Sequence, residues 1–162
     1  MVTVAETGAE TMTGGRILRV REYVGKETFM CTYGDGLANV DIGKLLAFHK
    51  AHGKIATITA VRPVSRFGVL DLAADGSVKS FEEKPQTEGW INAGYFIFEP
   101  QIFDYLENNS ILEREPLSKL ACEGQLVAFK HEGFFQPMDT LREMTILNEL
   151  WDSNNAPWKV WK

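Results

Sequence analysis

The sequence predicts an α/β fold, with a mixed, mostly parallel sheet flanked by helices. Strand-like and helix-like segments alternate through the first half of the chain. The stretch Thr28 to Ile42 reads as strand, tight turn and helix, and a hairpin pattern interrupts the alternation in the middle. At 162 residues a single domain is the default, and an apolar content of 44% is enough for a core.

Taken in order, Val2-Thr3-Val4 alternates like a strand, and Thr7 to Arg16 reads as loop. Gly14-Gly15 beside Arg16 offers backbone N–H groups and a guanidinium to an anion, or it is a flexible leader to a helix over 17–23. A strand at the first residues is unusual and hints that something once preceded it. Phe29 to Tyr33 is a strand, and Gly34-Asp35-Gly36 turns out of it. Asp35 then sits at the carboxyl end of a strand, where open α/β sheets take ligands. The plain alternative is an ordinary turn.

Asp41 precedes Ile42, Leu45, Leu46 and His49 at helical spacing, and Gly53 ends that helix. Lys54 to Val61 is a β-branched strand, and 62–66 is a loop. Phe67 to Leu72 and Val78 to Glu82 pair around an Asp75-Gly76 turn. Pro85 stops the second strand and holds Lys84 extended. Trp90 to Phe98 is a strand, and Pro100 and Glu115-Pro116 each open a helix, the latter stopped by Gly124. Leu126 to Lys130 is a strand and 133–139 an irregular aromatic loop. Thr140 with Glu143 has capping-box spacing, and the helix it opens carries Leu141, Met144, Leu147 and Trp151.

A net charge of -5 argues against a nucleic-acid partner, which needs a basic face. Small phosphates stay open, because a divalent cation reverses the local sign of charge. No apolar run spans a bilayer and the first residues carry no signal peptide, so no membrane partner is expected and the location is cytoplasmic. Cys31 and Cys122 read as small core or semi-buried thiols in a reducing compartment.

Asp35 and Asp139 each follow an apolar stretch and precede a helix. Two carboxylates and water would make a Mg²⁺ site. Asp139 reads equally well as the neighbour of a helix N-cap. Lys84 is a natural phosphate partner or a solvated turn charge. Glu83 accepts from sugar hydroxyls or lies idle on the surface. The histidines lack metal-ligand spacing, and His49 reads as a packed core or interface residue. No serine has a G-x-S-x-G context, and there is no CxxC or HExxH.

YGDG at 33–36, FGVLDL at 67–72, FEEKP at 81–85, INAGYF at 91–96 and QPMDT at 136–140, in that order, resemble the sugar-nucleotide pyrophosphorylases. Met12-Thr13-Gly14-Gly15-Arg16 and the closing Ala156-Pro157-Trp158-Lys159 look most like the glucose-1-phosphate cytidylyltransferase branch of that family. The resemblance implies a Rossmann-like nucleotidyltransferase domain over 1–162. Residues 1–16 would form the nucleotide side, 28–85 the core and 90–151 the sugar side, with 152–162 as a tail. It implies transfer of a cytidylyl group from CTP to glucose 1-phosphate, release of pyrophosphate, and Mg²⁺ as cofactor. Asp35 and Asp139 would hold the metal and, with Lys84, form the catalytic set. Thr11, Gly14, Gly15, Arg16 and Gly34 would line the nucleotide. Glu83, Lys84, Gly68 and Asn92 would hold the sugar phosphate. Such chemistry rests on positioning and charge neutralisation, so a metal, a Lys and an Arg are expected parts.

The family's opening G-G-x-G-T-R loop and the lysine beyond it have no counterpart in this sequence. The expectation is a chain that is impaired alone, completed as a homo-oligomer or by a complementary N-terminal segment. A thymidylyl-, uridylyl- or guanylyltransferase, or a non-catalytic sugar-phosphate-binding or assembly module, are the competing readings.

Overall fold

The computed structural model describes residues 1–65 and 67–161; Arg66, assigned above to a loop, and Lys162 lie outside the described residues. The backbone forms two compact units. The first comprises Met1–Gly34, Asp41–Thr59 and Gly94–Phe129; the second comprises Asp35–Val40, Ala60–Ala93 and Lys130–Lys162. The helices are α1 (Thr13–Arg19), α2 (Arg21–Val24), α3 (Ile42–His52), α4 (Glu115–Cys122) and α5 (Leu141–Asp152). The strands are β1 (Phe29–Thr32), β2 (Gly36–Ala38), β3 (Ala56–Val61), β4 (Val69–Leu72), β5 (Val78–Glu82), β6 (Ile91–Phe98), β7 (Leu126–Lys130) and β8 (Phe135–Pro137).

Four strands form one sheet in the order β1-β6-β3-β7, and β2-β8 and β4-β5 form two-stranded ribbons. β6 runs antiparallel to β1, with Phe29 opposite Phe98 and Thr32 opposite Tyr95. β7 runs parallel to β3: Ala56 N–H donates to Gln125 O at 3.0 Å and His131 N–H to Ala60 O at 2.8 Å, advancing together along both strands. The sheet is therefore mixed and flanked by helices, as the alternation predicts.

The first unit has the larger core. Phe96, Ile97 and Phe98 are consecutive and no more than 1% exposed, so β6 is covered on both faces. Ile17, Ala56, Ile102, Phe103, Leu106, Leu112, Leu117 and Leu120 pack into the same cluster as Phe96 and Phe98. The Phe29 ring lies 5.6 Å from both Phe98 and Phe103, tying β1 to the 3₁₀ turn Pro100–Tyr105. Burying each such side chain stabilises by about 1.5–3 kcal/mol. α3 has the ends its sequence signals. The Asp41 carboxylate accepts from Lys44 N–H at 3.0 Å, a bond that holds its pKa below the ordinary value, and Gly53 takes a left-handed φ of 63°.

The second unit is built from ribbons and α5. β4 and β5 are joined by a turn in which Gly76 has φ 85° and Ala73 N–H donates to Ser77 O at 2.8 Å. The Trp90 ring carries the Arg62 guanidinium and the Lys130 ammonium, each 5.2 Å from its centroid. In the tail, the Trp158 ring lies 5.5 Å from that of Phe134, tilted by 31°.

Several local expectations are corrected. Val2-Thr3-Val4 forms no strand, and Val2 and Val4 are fully exposed. α1 begins at Thr13 rather than Ile17, running through Gly14 and Gly15, and breaks at Val20 before α2. Tertiary packing overrides the poor helix propensity of those glycines: a Cβ at Gly15 would strike the Asn108 carbonyl, and one at Gly14 would lie 2.9 Å from Ser110 O. The strands β2 and β8 replace what the sequence reads as turn and loop. Cys122 is exposed on α4, whereas Cys31 is half-buried; both are free. Among the described residues no helix is long and apolar enough to cross a membrane.

His49 is buried, as its helical position predicts, and it belongs to a polar chain. Lys54 N–H donates to His52 Nδ1 at 2.9 Å, so the proton of that ring sits on Nε2. His52 Nε2 then donates to Thr57 Oγ1 at 2.7 Å, and Thr57 to His49 Nδ1 at 2.7 Å. His49 Nε2 is left to donate to Glu99 Oε1 at 3.0 Å. Burial first, then the neighbouring His49 and Lys54, push the His52 pKa below its ordinary value. A depressed histidine binds fewer protons folded than unfolded, so its contribution is complete above the unfolded pKa and is lost as pH falls through the folded one. The midpoint of urea unfolding should therefore fall between about pH 7 and pH 5, and His52→Gln should flatten that slope. An equal slope in both proteins would contradict it.

Candidate active site

The β2-β8 ribbon brings the backbone of two expected carboxylate residues to one of its ends. Gly36 pairs with Pro137 in the antiparallel register, and Met138 N–H donates to Asp35 O at 2.8 Å. Asp139 is the next residue, so Asp35 and Asp139 share one end of one ribbon, both exposed. The backbone at Asp139 is held by the start of α5. Glu143 Oε2 accepts from the N–H groups of Asp139 at 3.0 Å and Thr140 at 2.9 Å, while Thr140 Oγ1 accepts from Glu143 N–H at 3.3 Å. This is the capping box that the Thr-x-x-Glu spacing predicts, with Thr140 as the cap and Asp139 beside it.

Two solvent-facing carboxylates suit Mg²⁺, which takes one or two such ligands and keeps several waters. Among the described residues no group of three His, Cys, Asp or Glu is placed to hold a metal. A metal here would complete its shell from water and substrate.

Gly68, Glu83, Lys84 and Asn92 lie in the same compact unit as the two aspartates. Lys84 corrects its expected geometry: its φ is 49°, left-handed rather than extended. Pro85 disfavours the right-handed helical region for the residue before it. The chain must also turn back at once, because Pro85 O accepts from Ser65 N–H at 2.8 Å and Gln86 bridges to Val64. A non-glycine residue in that region is uncommon and costs of order 1–3 kcal/mol, a kind of strain that gathers at functional sites. The Lys84 ammonium stands 3.5 Å from Glu83 Oε1, both side chains well exposed. A Cβ at Gly68 would collide with the Phe81 ring and lie 3.1 Å from Glu83 Oε2, so the Gly68 backbone runs directly beside Glu83. Asn92 is half-buried on β6.

The remaining candidates lie in the first unit. Thr11 is buried, and Arg16 is exposed, its guanidinium donating to Thr7 Oγ1 at 2.7 Å and Ala9 O at 3.1 Å. The N–H groups of Gly14 and Gly15 donate to Ser110 O at 2.9 and 3.2 Å. Gly34 is open, with no atom within 4 Å of where a Cβ would stand. Sequence reasoning missed Glu113. Its carboxylate accepts from the Tyr33 hydroxyl and from Thr13 Oγ1 at 2.7 Å. It also adds to burial in raising the Cys31 thiol pKa. No motif surrounds Glu113, and both partners lie far back in the chain.

Known proteins resemble this chain along most of its length. The sequence profile of the nucleotidyl transferase family matches residues 3–140. A glucose-1-phosphate cytidylyltransferase of Salmonella typhimurium is 52% identical over 99% of this chain and 63% of its own length. A mannose-1-phosphate guanylyltransferase catalytic subunit beta of Xenopus tropicalis is 33% identical over 82% of this chain and 40% of its own length. The crystal structure of HddC from Yersinia pseudotuberculosis superposes with a TM-score of 0.65 at 26% identity, covering 86% of this chain and 62% of that one. The chain thus spans about 63% of the length of the cytidylyltransferase it matches.

The left-handed Lys84 gives a separable prediction for stability. Glycine accepts that conformation freely, so Lys84→Gly should be more stable than Lys84→Ala by about 1 kcal/mol, read from urea midpoints. Alanine equal to or better than glycine would show that the backbone there carries no strain.

Proposed function

The chain belongs to the nucleotidyl transferase family, and we propose that its protein transfers a cytidylyl group from CTP to glucose 1-phosphate, releasing pyrophosphate. The observation that carries the reading is the delivery of Asp35 and Asp139 to one end of the β2-β8 ribbon. The 52% identity to a cytidylyltransferase supports the choice of nucleotide and sugar. In the reaction a phosphate oxygen of the sugar phosphate attacks the α-phosphorus of CTP. The new O–P bond forms as the bond to the β-phosphate oxygen breaks, and pyrophosphate leaves with that electron pair.

Asp35 and Asp139 would hold Mg²⁺, which would neutralise phosphate charge where it is bound. Lys84 holds the phosphate of the sugar substrate, giving up its loose contact with Glu83 for a stronger charge-assisted one. Glu83, thus released, accepts from sugar hydroxyls, and the missing side chain at Gly68 makes room for the Phe81 ring beside it. Asn92 adds an amide on the sugar side. Arg16, Thr11 and Gly34 serve the nucleotide, whereas Gly14 and Gly15 serve it indirectly, by seating α1 on Ser110.

A pyrophosphate-release assay with CTP, glucose 1-phosphate and Mg²⁺ tests this, run beside GTP, UTP and dTTP. Asp35→Asn and Asp139→Asn should each lower turnover roughly a hundredfold to a thousandfold. Lys84→Ala should weaken glucose 1-phosphate binding about tenfold, and Lys84→Arg should not fully restore it. Preference for another nucleotide, or full activity without either aspartate, would overturn the reading.

Assembly is also part of the proposal. Among the described residues β1 pairs on one side only, with β6. Beside it lies an apolar cleft of about 160 Å³ lined by Met30, Cys31, Thr32, Ile42, Leu45, Tyr95 and Phe96. A bare edge with apolar surface next to it favours covering by further chain, from the same protein or a second copy. Residues 1–162 alone should therefore turn over little and associate on gel filtration. A monodisperse monomer with ordinary turnover would contradict this.

A further inference from the structure

We propose that Glu113 is a positioning residue for the nucleotide side of the site; the proposal rests on the functional reading above. Its carboxylate holds two motif segments at once. One oxygen accepts from the Tyr33 hydroxyl, and the other from Thr13 Oγ1 at 2.7 Å. Thr13 opens α1 and is followed by Gly14, Gly15 and Arg16. Tyr33 stands directly before Gly34-Asp35. Glu113, Thr13, Tyr33 and Gly34 all belong to one compact unit.

Each arm of this clamp is itself fixed. The Thr13 oxygen accepts from Leu112 N–H at 2.9 Å, which leaves its proton for Glu113. Gly14 and Gly15 donate to Ser110 O, so the loop before α4 grips the head of α1 through several consecutive groups. On the other arm, Tyr33 N–H donates to Gly94 O at 2.9 Å, and its ring meets Phe96 edge-on at 5.6 Å. Gly94 has φ 77°, and the Tyr33 ring fills the place where a Cβ would stand. Tyr33 and Thr13 are therefore both well placed, and Glu113 fixes the distance between them.

That distance matters because, in the functional reading above, Arg16 and Gly34 serve the nucleotide from these two segments. Group transfer depends on geometry, and small misplacements cost large factors in rate. Glu113 acts through Thr13 and Tyr33 without touching substrate.

The test is calorimetric titration of CTP with Mg²⁺, and separately of glucose 1-phosphate, into wild type, Glu113→Ala, Glu113→Gln and Tyr33→Phe, with melting temperatures alongside. Glu113→Ala should weaken CTP about tenfold, the worth of a charged hydrogen-bond acceptor, and leave glucose 1-phosphate within about twofold. Glu113→Gln keeps one good acceptor and should fall between. Unchanged CTP affinity in Glu113→Ala, or equal loss for both ligands in step with melting temperature, would overturn the proposal. If wild type prefers another nucleoside triphosphate, the choice of CTP fails, and the same titration with that nucleotide still judges the clamp. If it binds none, amide hydrogen exchange decides: Glu113→Ala should speed exchange at Gly15 and Arg16, and unchanged protection there would end the idea.

Discussion

Burial of β6 is the constraint from which the larger unit follows. Three adjacent residues, Phe96, Ile97 and Phe98, are sealed from water, which requires cover on both faces of the strand. β1 and β3 flank it within the sheet. Ile17 and the helices and turns after β6 close over Phe96 and Phe98. Just upstream of those three residues the strand carries Gly94, and its positive φ makes room for Tyr33. The packing of a core strand is thereby transmitted to the residue before Gly34-Asp35, and through Glu113 to the head of α1. Positions that read as separate motifs in the sequence are mechanically one object.

The parts legible in the sequence are those whose signal is local. β-branched and aromatic runs announce β3, β6 and β7, Asp41 and Gly53 bracket α3, and the Thr140–Glu143 pair announces α5. β2 and β8 were not legible, because three residues carry no usable period and each strand exists only through the other. The start of α1 was not legible, because its glycines are poor helix formers that permit a close approach to Asn108 and Ser110. Lys84 departs from the extended form that Pro85 favours, taking a left-handed φ of 49°. The return of the chain to Ser65 outweighs that local preference.

The candidate site divides along the same line. Asp35 and Asp139 could be picked out from position alone, each between an apolar stretch and a helix. What the sequence could not show was that a short ribbon joins them, with Met138 bonded to Asp35 across it. Glu113 had no signal at all, since its role is defined by the two hydroxyls it receives.

The two units also spend their residues differently. Of the buried apolar residues described, only Ala60, Val61, Ala93 and Leu147 belong to the second unit. Both strands of its β4-β5 ribbon are exposed along their whole length. Its order comes instead from backbone devices: the β2-β8 register, the capping box, the hairpin turn and the bridge from Gln86 to Val64. Such devices fix the backbone at Asp35, Lys84 and Asp139 while all three residues stay exposed. A large core is tolerant of surface change but not of lost volume. A unit held by hydrogen-bond geometry is the reverse, and substitutions there should alter function well before they alter the fold.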